Sequence, residues 1–333
     1  MLAAVRHAGD ARGGVALEDI GAPQPAAGEV LLRVRACGVC RTDLHIVDEE
    51  LPPHRDAVVP GHQIVGDVVA IGKDVDGALM GTRVGVSWLG GTDGTCPQCR
   101  AGRENLCDRP TYTGYDRDGG YAEFACARAD FTTSLPPEMD DVEVAPLLCA
   151  GIIGFRALRV AGVERGERVG LFGFGASAHL ALQVLRAWNC EVYVSTRGAQ
   201  HRAFAQSLGV AWAGDATDKP PVPLDRAVTF APAGDVVVAA LASLRKGGVV
   251  AINAIHLDRM LEFDYDSLLW GERQIRSVTN MTRADARDFI TLAAEANVRA
   301  QTTVFPLQAI QGALDAVRGD AIDGAAVVRC SPS

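Results

Sequence analysis

Two thiol-bearing stretches and one glycine-rich turn are the parts of this 333-residue chain whose residue types and spacing could do chemistry. "CRTDLHIVDEELPPHRDAVVPGHQ" runs from Cys40 to Gln63 and sets one thiol and well-separated imidazoles around a turn-forming Pro-Gly. Further on, "DGTCPQCRAGRENLC" packs Cys96, Cys99 and Cys107 close together. Three such thiols in a reduced chain suit tetrahedral zinc, which asks for a fourth donor. Asp93, three residues before Cys96, can close an oxygen-plus-three-sulfur set, because carboxylate oxygen is an acceptable zinc ligand. The plainer reading of Asp93 is a turn residue before Gly94. A third thiol-bearing run, "APLLCAGIIGF", carries Cys149. Taken singly, Cys40, His62 and Cys149 read as ordinary core residues, since buried free cysteine is common.

"GFGASA" places Gly173, Gly175 and Ala178 in the G-x-G-x-x-G/A pattern. The first glycine permits a tight turn, the second lets backbone approach a pyrophosphate, and Ala178 is small enough for close helix–strand packing. Ala176 and Ser177 open the following helix, whose N–H groups and dipole favour phosphate. The run follows a strand-like "RVGLF" and precedes a helical pattern, which is the context the fingerprint requires. The alternative is a tight strand–helix turn without a nucleotide. About 20 residues on, where an acid would hold the ribose hydroxyls, stand Ser195, Thr196 and Arg197. A hydroxyl followed by a guanidinium suits a 2′-phosphate. NADP(H) is therefore expected over NAD(H), unless Arg197 is only a solvated loop residue.

The elements that would position these groups change character along the chain. The first 150 or so residues are rich in Gly and Pro and carry short β-like runs: "EVLLRVRACGV", "QIVGDVVAIG" and "TRVGVSWL". From near Val163, strands alternate with helices: "ERVGLF", the helix after "GFGASA", "CEVYVSTRG", helical "QHRAFAQSLGV", "DRAVTFAPAG", helical "DVVVAALASLRKGG" closed by glycine, and "GGVVAINAI". Such alternation predicts an α/β unit with a parallel sheet covered on both faces. "RDFITLAAEANV" reads as a late helix and "GAAVVRC" as a closing strand. Composition narrows the partners. Net charge is -9 with no basic stripe, which argues against nucleic acid. No apolar stretch is long enough for a membrane span, and the N-terminus lacks the apolar core of a secretory signal. Nine cysteines, an odd number, favour reduced thiols over a disulfide framework and a cytoplasmic location.

"GVCRTDLH", "PGHQIVG", "TCPQCRAGRENLC", "RDGGYAEF", "LLCAG", "GFGASA" and "TRAD" stand in this order along nearly the whole chain. In types and order they resemble the zinc-dependent medium-chain alcohol dehydrogenases. The resemblance implies a GroES-like β-rich catalytic domain over residues 1–150, a Rossmann doubly wound parallel-sheet cofactor domain over 151–285, and a segment, 286–333, that returns to the first. It implies a catalytic zinc held by Cys40, His62 and Cys149, the Cys₂His set known for alcohol dehydrogenase, and a structural zinc held by Asp93, Cys96, Cys99 and Cys107. It casts Thr42 as the hydroxyl that takes the alcohol proton and His45 as the imidazole that hands it to solvent. Asp43 becomes the carboxylate that orients His62, Arg41 a contact to the cofactor pyrophosphate, and Trp88 an aromatic wall of the substrate pocket. The implied activity is hydride transfer between a primary alcohol or aldehyde and a nicotinamide cofactor. The implied partners are a small alcohol or aldehyde and further copies of the chain, as dimer or tetramer.

Some positions depart from the family pattern. Gln63 stands where a glutamate usually follows the ligand histidine, Asp93 replaces the usual first cysteine of the structural set, and Ile153 stands where threonine often approaches the nicotinamide. Trp88 would narrow the pocket toward slim or flat substrates, although it could instead fill the barrel core. Two other readings share parts of the pattern. A zinc-free quinone or enone reductase of the same superfamily would not need Cys40, His62 and the thiol lobe. A non-catalytic zinc- and nucleotide-binding redox sensor would not need the hydroxyl and imidazole of "CRTDLH".

Overall fold

The computed structural model describes residues 1–10, 14–319, 321–322 and 324–331. Two compact units emerge. One comprises Met1–Ala150, Asn280–Ala294 and Arg299–Ser333; the other comprises Gly151–Thr279 and Glu295–Val298.

The first unit is organised by one long strand, Glu29–Val39. Its sequence alternates, so Val30, Leu32 and Val34 point inward while Arg33 and Arg35 face water; from Ala36 to Val39 every residue is buried. Gln63–Ile71, Phe124–Arg128 and Ala325–Arg329 all pair with it antiparallel. Its register slips between Leu31 and Leu32 and between Val34 and Ala36, the kind of irregularity that bends a strand and raises its twist. Arg83–Val86, Thr132–Ser134 and Thr302–Pro306 complete a seven-stranded sheet. Val30, Leu32, Val34, Ile64, Val84 and Val328 share its core. The closing strand read from "GAAVVRC" spans Ala325–Arg329 and lies directly on the central one, Ala326 opposite Val39.

This pairing already positions chemistry. Gly38 lies opposite Gln63, so Cys40 and His62 leave two neighbouring strands side by side. Gly38 leaves room for the Gln63 side chain, since a Cβ there would sit 3.0 Å from the Gln63 amide and push it aside.

The second unit is a six-stranded, all-parallel sheet in the order Trp212–Gly214, Glu191–Ser195, Arg168–Phe172, Leu224–Thr229, Leu244–Ile252, Gln274–Ser277. Numbered along the chain this is 3-2-1-4-5-6, the doubly wound order that binds dinucleotides where the strand order reverses. That reversal lies between Arg168–Phe172 and Leu224–Thr229, and Gly173 follows directly on the first of them. One expectation needs correction. "DVVVAALASLRKGG" is not helical to its glycines: the helix ends at Ser243, and Leu244, with extended backbone (φ -76°, ψ 142°), begins a strand that runs to Ile252. The pull of the parallel ladder with Leu224–Thr229 outweighs the helical propensity of Leu-Arg-Lys.

Among the described residues no single helix is long and apolar enough to cross a membrane, although Asp141–Leu148 and Ala150–Ala161, bent by 43°, pass such a test as a pair by length and composition. None of the nine cysteines forms a disulfide.

Candidate active site and metal centres

Cys40 closes the central strand and caps the Arg41–Val47 helix. Asp43, fully buried in the first turn of that helix, works in two directions. Its Oδ2 accepts the Cys40 N–H at 2.9 Å, and its Oδ1 accepts from His62 Nδ1 at 3.1 Å and from the Gly61 N–H at 3.3 Å. A carboxylate that receives the Nδ1 proton fixes the imidazole tautomer and leaves Nε2 as the ligating atom. Nε2 lies 3.3 Å from Cys40 Sγ. Cys149 arrives from a different element. It breaks the run between the short helix Ala145–Leu148 and Ala150–Ala161 with a backbone of φ -132°, ψ -71°, and that kink turns its thiol toward the other two. The ligand atoms of Cys40, His62 and Cys149 lie within 4.8 Å of one another.

The electrostatics of this cluster fit a divalent cation. The hydrogen bond from the Cys149 thiol, helped by the His62 charge, holds Cys40 well below the usual thiol range despite burial. The same bond and burial push Cys149 well above it. Burial alone would lower His62, but the charges of Asp43 and Cys40 raise it well above the ordinary imidazole value. The cluster thus gathers negative charge in a dry place. A cation with two thiolates and a neutral imidazole would replace the protons that otherwise compensate it, releasing them as it binds. Three protein donors leave one corner of a tetrahedron to be supplied from outside, the arrangement of catalytic rather than structural zinc.

Thr42 and His45 stand three residues apart on the same helix, hence on one face. The rings of Trp88 and His62 meet at a steep angle (74°) with centroids 5.1 Å apart, and Trp88 stacks on Tyr112 at 4.7 Å, with Tyr115 beyond at 6.1 Å. Tyr112 and Tyr115 carried no signal in the sequence, because only packing brings them beside Trp88. Gln63 is 1% exposed, and its Oε1 has no hydrogen-bond partner among the described residues. A neutral amide tolerates such a place at far lower cost than an unpaired carboxylate, which gives a physical reason for glutamine at this position. Arg41 is exposed at the start of its helix.

The second cluster brings together Asp93, Cys96, Cys99 and Cys107, again within 4.8 Å. Backbone N–H groups converge on its sulfurs: Asp93 and Arg109 on Cys107, each at 3.4 Å, and Cys99 on Cys96 at 3.5 Å. Asp93 divides its oxygens. Oδ1 accepts the N–H groups of Cys96 and Thr95 at 2.9 and 2.8 Å, while Oδ2 lies 3.5 Å from Arg109 Nε. Those N–H bonds hold its carboxyl well below the usual range, so it stays an anionic donor. Burial pushes Cys99 up to about 11, a proton that a bound cation would displace. Glu104, missed as a structural residue in the sequence, ties this lobe down: its Oε1 accepts the Arg283 N–H at 3.0 Å. The "TRAD" run is a reciprocal helix cap, Thr282 Oγ1 donating to Asp285 Oδ2 at 2.7 Å and accepting the Asp285 N–H at 3.0 Å.

Asp93→Ala is expected to lower the melting temperature and to release one metal per chain under mild chelation, with alcohol chemistry affected only indirectly. Asp93→Asn, which keeps an oxygen for the loop N–H groups, separates folding of the loop from metal retention. Unchanged metal content and melting in the alanine variant would make Asp93 a plain turn residue.

In the second unit Gly173 has φ +91°, and a Cβ there would meet the Ala231 nitrogen at 3.0 Å. At Gly175 the reason differs: an added Cβ would touch no protein atom, so the bare backbone leaves space for a ligand to approach the start of the Ala176–Ala187 helix. Ala178 is fully buried, and the carbonyl of Ser177 comes so close to Gly154 that a Cβ there would lie 2.8 Å away. At the end of the next strand Ser195 and Thr196 are buried, Ser195 Oγ donating to the Asp218 carbonyl at 3.2 Å, and Arg197 is exposed. Arg202 of the following helix, which sequence reading missed, reaches back to the Thr196 carbonyl at 3.1 Å.

Three converging metal donors in the first unit and a dinucleotide-binding turn in the second are the two features that an oxidoreductase using a metal and a nicotinamide needs. Comparison with known proteins agrees. Residues 26–137 match the alcohol dehydrogenase GroES-like domain. The chain is 50% identical over 311 residues to the probable alcohol dehydrogenase AdhA of Mycobacterium tuberculosis (strain CDC 1551 / Oshkosh), covering 92% of this chain and 90% of that one. It is 31% identical over 326 residues to an alcohol dehydrogenase of Geobacillus stearothermophilus, covering 94% and 95%. Among solved structures, a cinnamyl alcohol dehydrogenase from Sorghum bicolor (L.) Moench superposes with a TM-score of 0.89 over 98% of this chain and 97% of that one, at 25% identity. The chain belongs to the zinc-containing medium-chain alcohol dehydrogenases, and is an NAD(P)-dependent alcohol dehydrogenase.

Proposed function

We propose that the enzyme interconverts primary alcohols and their aldehydes, with NADP(H) in preference to NAD(H). The observation that carries this reading is the convergence of Cys40, His62 and Cys149 within 4.8 Å, with Asp43 behind His62. Zinc held there would supply a Lewis acid for the substrate oxygen, and the nicotinamide would supply the hydride partner. The remaining work belongs to the chain. Asp43 keeps His62 in its ligating tautomer. Thr42 takes the hydroxyl proton of the substrate and His45 passes it to water. Trp88, beside His62 and stacked on Tyr112, makes one wall flat and apolar, which favours unbranched or aromatic substrates over bulky secondary ones. Gly173, Gly175, Ala176, Ser177 and Ala178 offer bare backbone and N–H groups to the pyrophosphate, with Arg41 as a further contact. Arg197, exposed, brings positive charge to where a 2′-phosphate would lie, while Arg202, bonded to the Thr196 carbonyl, is already paired with Asp215 at 3.5 Å.

The test is kcat/KM for a panel of primary, secondary and aromatic alcohols and aldehydes with each cofactor, alongside metal analysis. The expected result is highest efficiency with a primary or aromatic substrate and NADP(H), and about two zinc ions per chain. Activity that survives complete metal removal, or confined to quinones and enones, would overturn the reading. The same reading includes association of identical chains. Met260 and Trp270 are 90% and 65% exposed, and Gln274–Ser277 is the edge of the parallel sheet. Exposed apolar groups and an open sheet edge each suit pairing with a second copy, which sedimentation would detect as a dimer or tetramer.

A further inference from the structure

The chain that follows the Arg41–Val47 helix carries three acids in a row, Asp48, Glu49 and Glu50, and each has a different partner. Asp48 pairs with Arg318 at 2.7 Å. Glu49 pairs at 2.6 Å with Arg6, itself only 2% exposed, and also accepts the Gly9 N–H at 2.6 Å. Its backbone is left-handed, with φ +58°, a conformation that a residue bearing a side chain rarely adopts without outside support. The Leu51 N–H donates to the His45 carbonyl at 3.0 Å. Two arginines from distant parts of the chain and one backbone bond therefore build a tight return. That return folds Glu50 back onto the helix, where its carboxylate accepts from His45 Nδ1. His45 is 14% exposed and Glu50 61%. The construction of the turn leaves the third acid facing the imidazole.

We propose that His45 and Glu50 form a dyad in which Glu50 is a positioning residue for proton release. This rests on the reading of Thr42 and His45 as the proton exit. By accepting the Nδ1–H, Glu50 fixes the imidazole with its lone pair on Nε2. As Thr42 takes the substrate proton, its own O–H bond breaks and a new N–H bond forms at Nε2. The resulting imidazolium is stabilised by the carboxylate on its other side. One proton then passes to water, and the neutral Nδ1–H tautomer is restored. These steps transfer protons only, and no group is oxidised or reduced.

The experiment uses the zinc-loaded full chain at fixed neutral pH and compares wild type with Glu50→Ala, Glu50→Gln, His45→Gln and the His45→Gln/Glu50→Ala double variant. It reads single-turnover cofactor reduction, melting temperature, cofactor KM and the ¹⁵N shifts of His45. Glu50→Ala should slow turnover roughly threefold to tenfold, a modest effect because Glu50 is largely exposed. Melting and cofactor KM should not change. Glu50→Gln, whose amide oxygen still accepts, should keep the Nδ1–H tautomer and an intermediate rate. With His45 already removed, Glu50→Ala should do nothing more, the signature of two residues acting as one. A wild-type His45 protonated on Nε2 alone would overturn the dyad, as would an undiminished effect of Glu50→Ala in the His45→Gln background. Slow His45→Gln with full-rate Glu50→Ala overturns the dyad and leaves the proton exit standing. Full-rate His45→Gln removes the proton exit itself, and the dyad with it.

Discussion

Cys40→Ser is expected to abolish alcohol turnover and to lower zinc content by one ion per chain, while NADP⁺ binding persists. Serine keeps the shape of the side chain, but its hydroxyl stays protonated at neutral pH and is a poor zinc donor. His62 and Cys149 alone cannot hold the ion tightly, because a two-donor set lacks both the charge and the geometry. Losing Lewis-acid assistance removes several kcal/mol of transition-state stabilisation, and each ~1.4 kcal/mol is tenfold, so a fall of roughly a thousandfold or more follows. The cofactor term should survive. Gly173, Gly175 and the Ala176–Ala187 helix belong to the second compact unit, built around its own parallel sheet. Metal analysis, a cofactor titration and steady-state rates on one preparation decide the matter. Full activity in a variant shown to lack the ion would sink the mechanism. Loss of cofactor binding along with activity would point instead to unfolding.

The central strand, the glycine turn and the two clusters were legible in the sequence for different reasons. "EVLLRVRACGV" is legible because its alternation and its length both fit a strand, and the observed element has those same bounds. "GFGASA" is legible because its three small residues each answer a separate steric demand, two of which recur as the close contact at Gly173 and the open space at Gly175. The thiol lobe is local, so spacing alone draws Asp93, Cys96, Cys99 and Cys107 together. Cys40, His62 and Cys149 are not local. What unites them physically is the pairing of Gly38 with Gln63 and the kink at Cys149, and no periodicity of the chain announces either. Family resemblance supplied that link.

The sequence was least informative where tertiary contact decides. Leu244, Arg245 and Lys246 suit a helix by propensity, yet a parallel neighbour draws Leu244–Ile252 into the sheet. Glu50 looks like one more solvated acid in a charged run. Only the left-handed turn at Glu49, held by the buried Arg6, turns it onto His45. Tyr112 is likewise silent until it stacks on Trp88.

Cofactor choice should respond nearly as strongly as the chemistry does. The Glu191–Ser195 strand is followed by Thr196 and Arg197, without an acid to bind ribose hydroxyls or repel a 2′-phosphate. Because the Thr196 side chain is buried, the exposed Arg197 carries most of the expected recognition, with Arg202 held nearby against the Thr196 carbonyl. A charge-assisted hydrogen bond contributes ~1.5–3 kcal/mol, and every ~1.4 kcal/mol is a factor of ten in affinity. Arg197→Ala should therefore weaken NADP⁺ roughly tenfold to a hundredfold and leave NAD⁺ nearly unaffected. Thr196→Asp should reverse the preference, since a carboxylate there can hold the ribose hydroxyls and repels phosphate. The buried setting of Thr196 makes an equal loss for both cofactors in that variant a sign of local misfolding, so Arg197→Ala is the cleaner probe. Dissociation constants for both cofactors, measured with wild type and the arginine variant, give the answer. A wild type that prefers NAD⁺, or an Arg197→Ala variant that weakens both cofactors alike, would show that Arg197 faces only water and that this turn reads no phosphate.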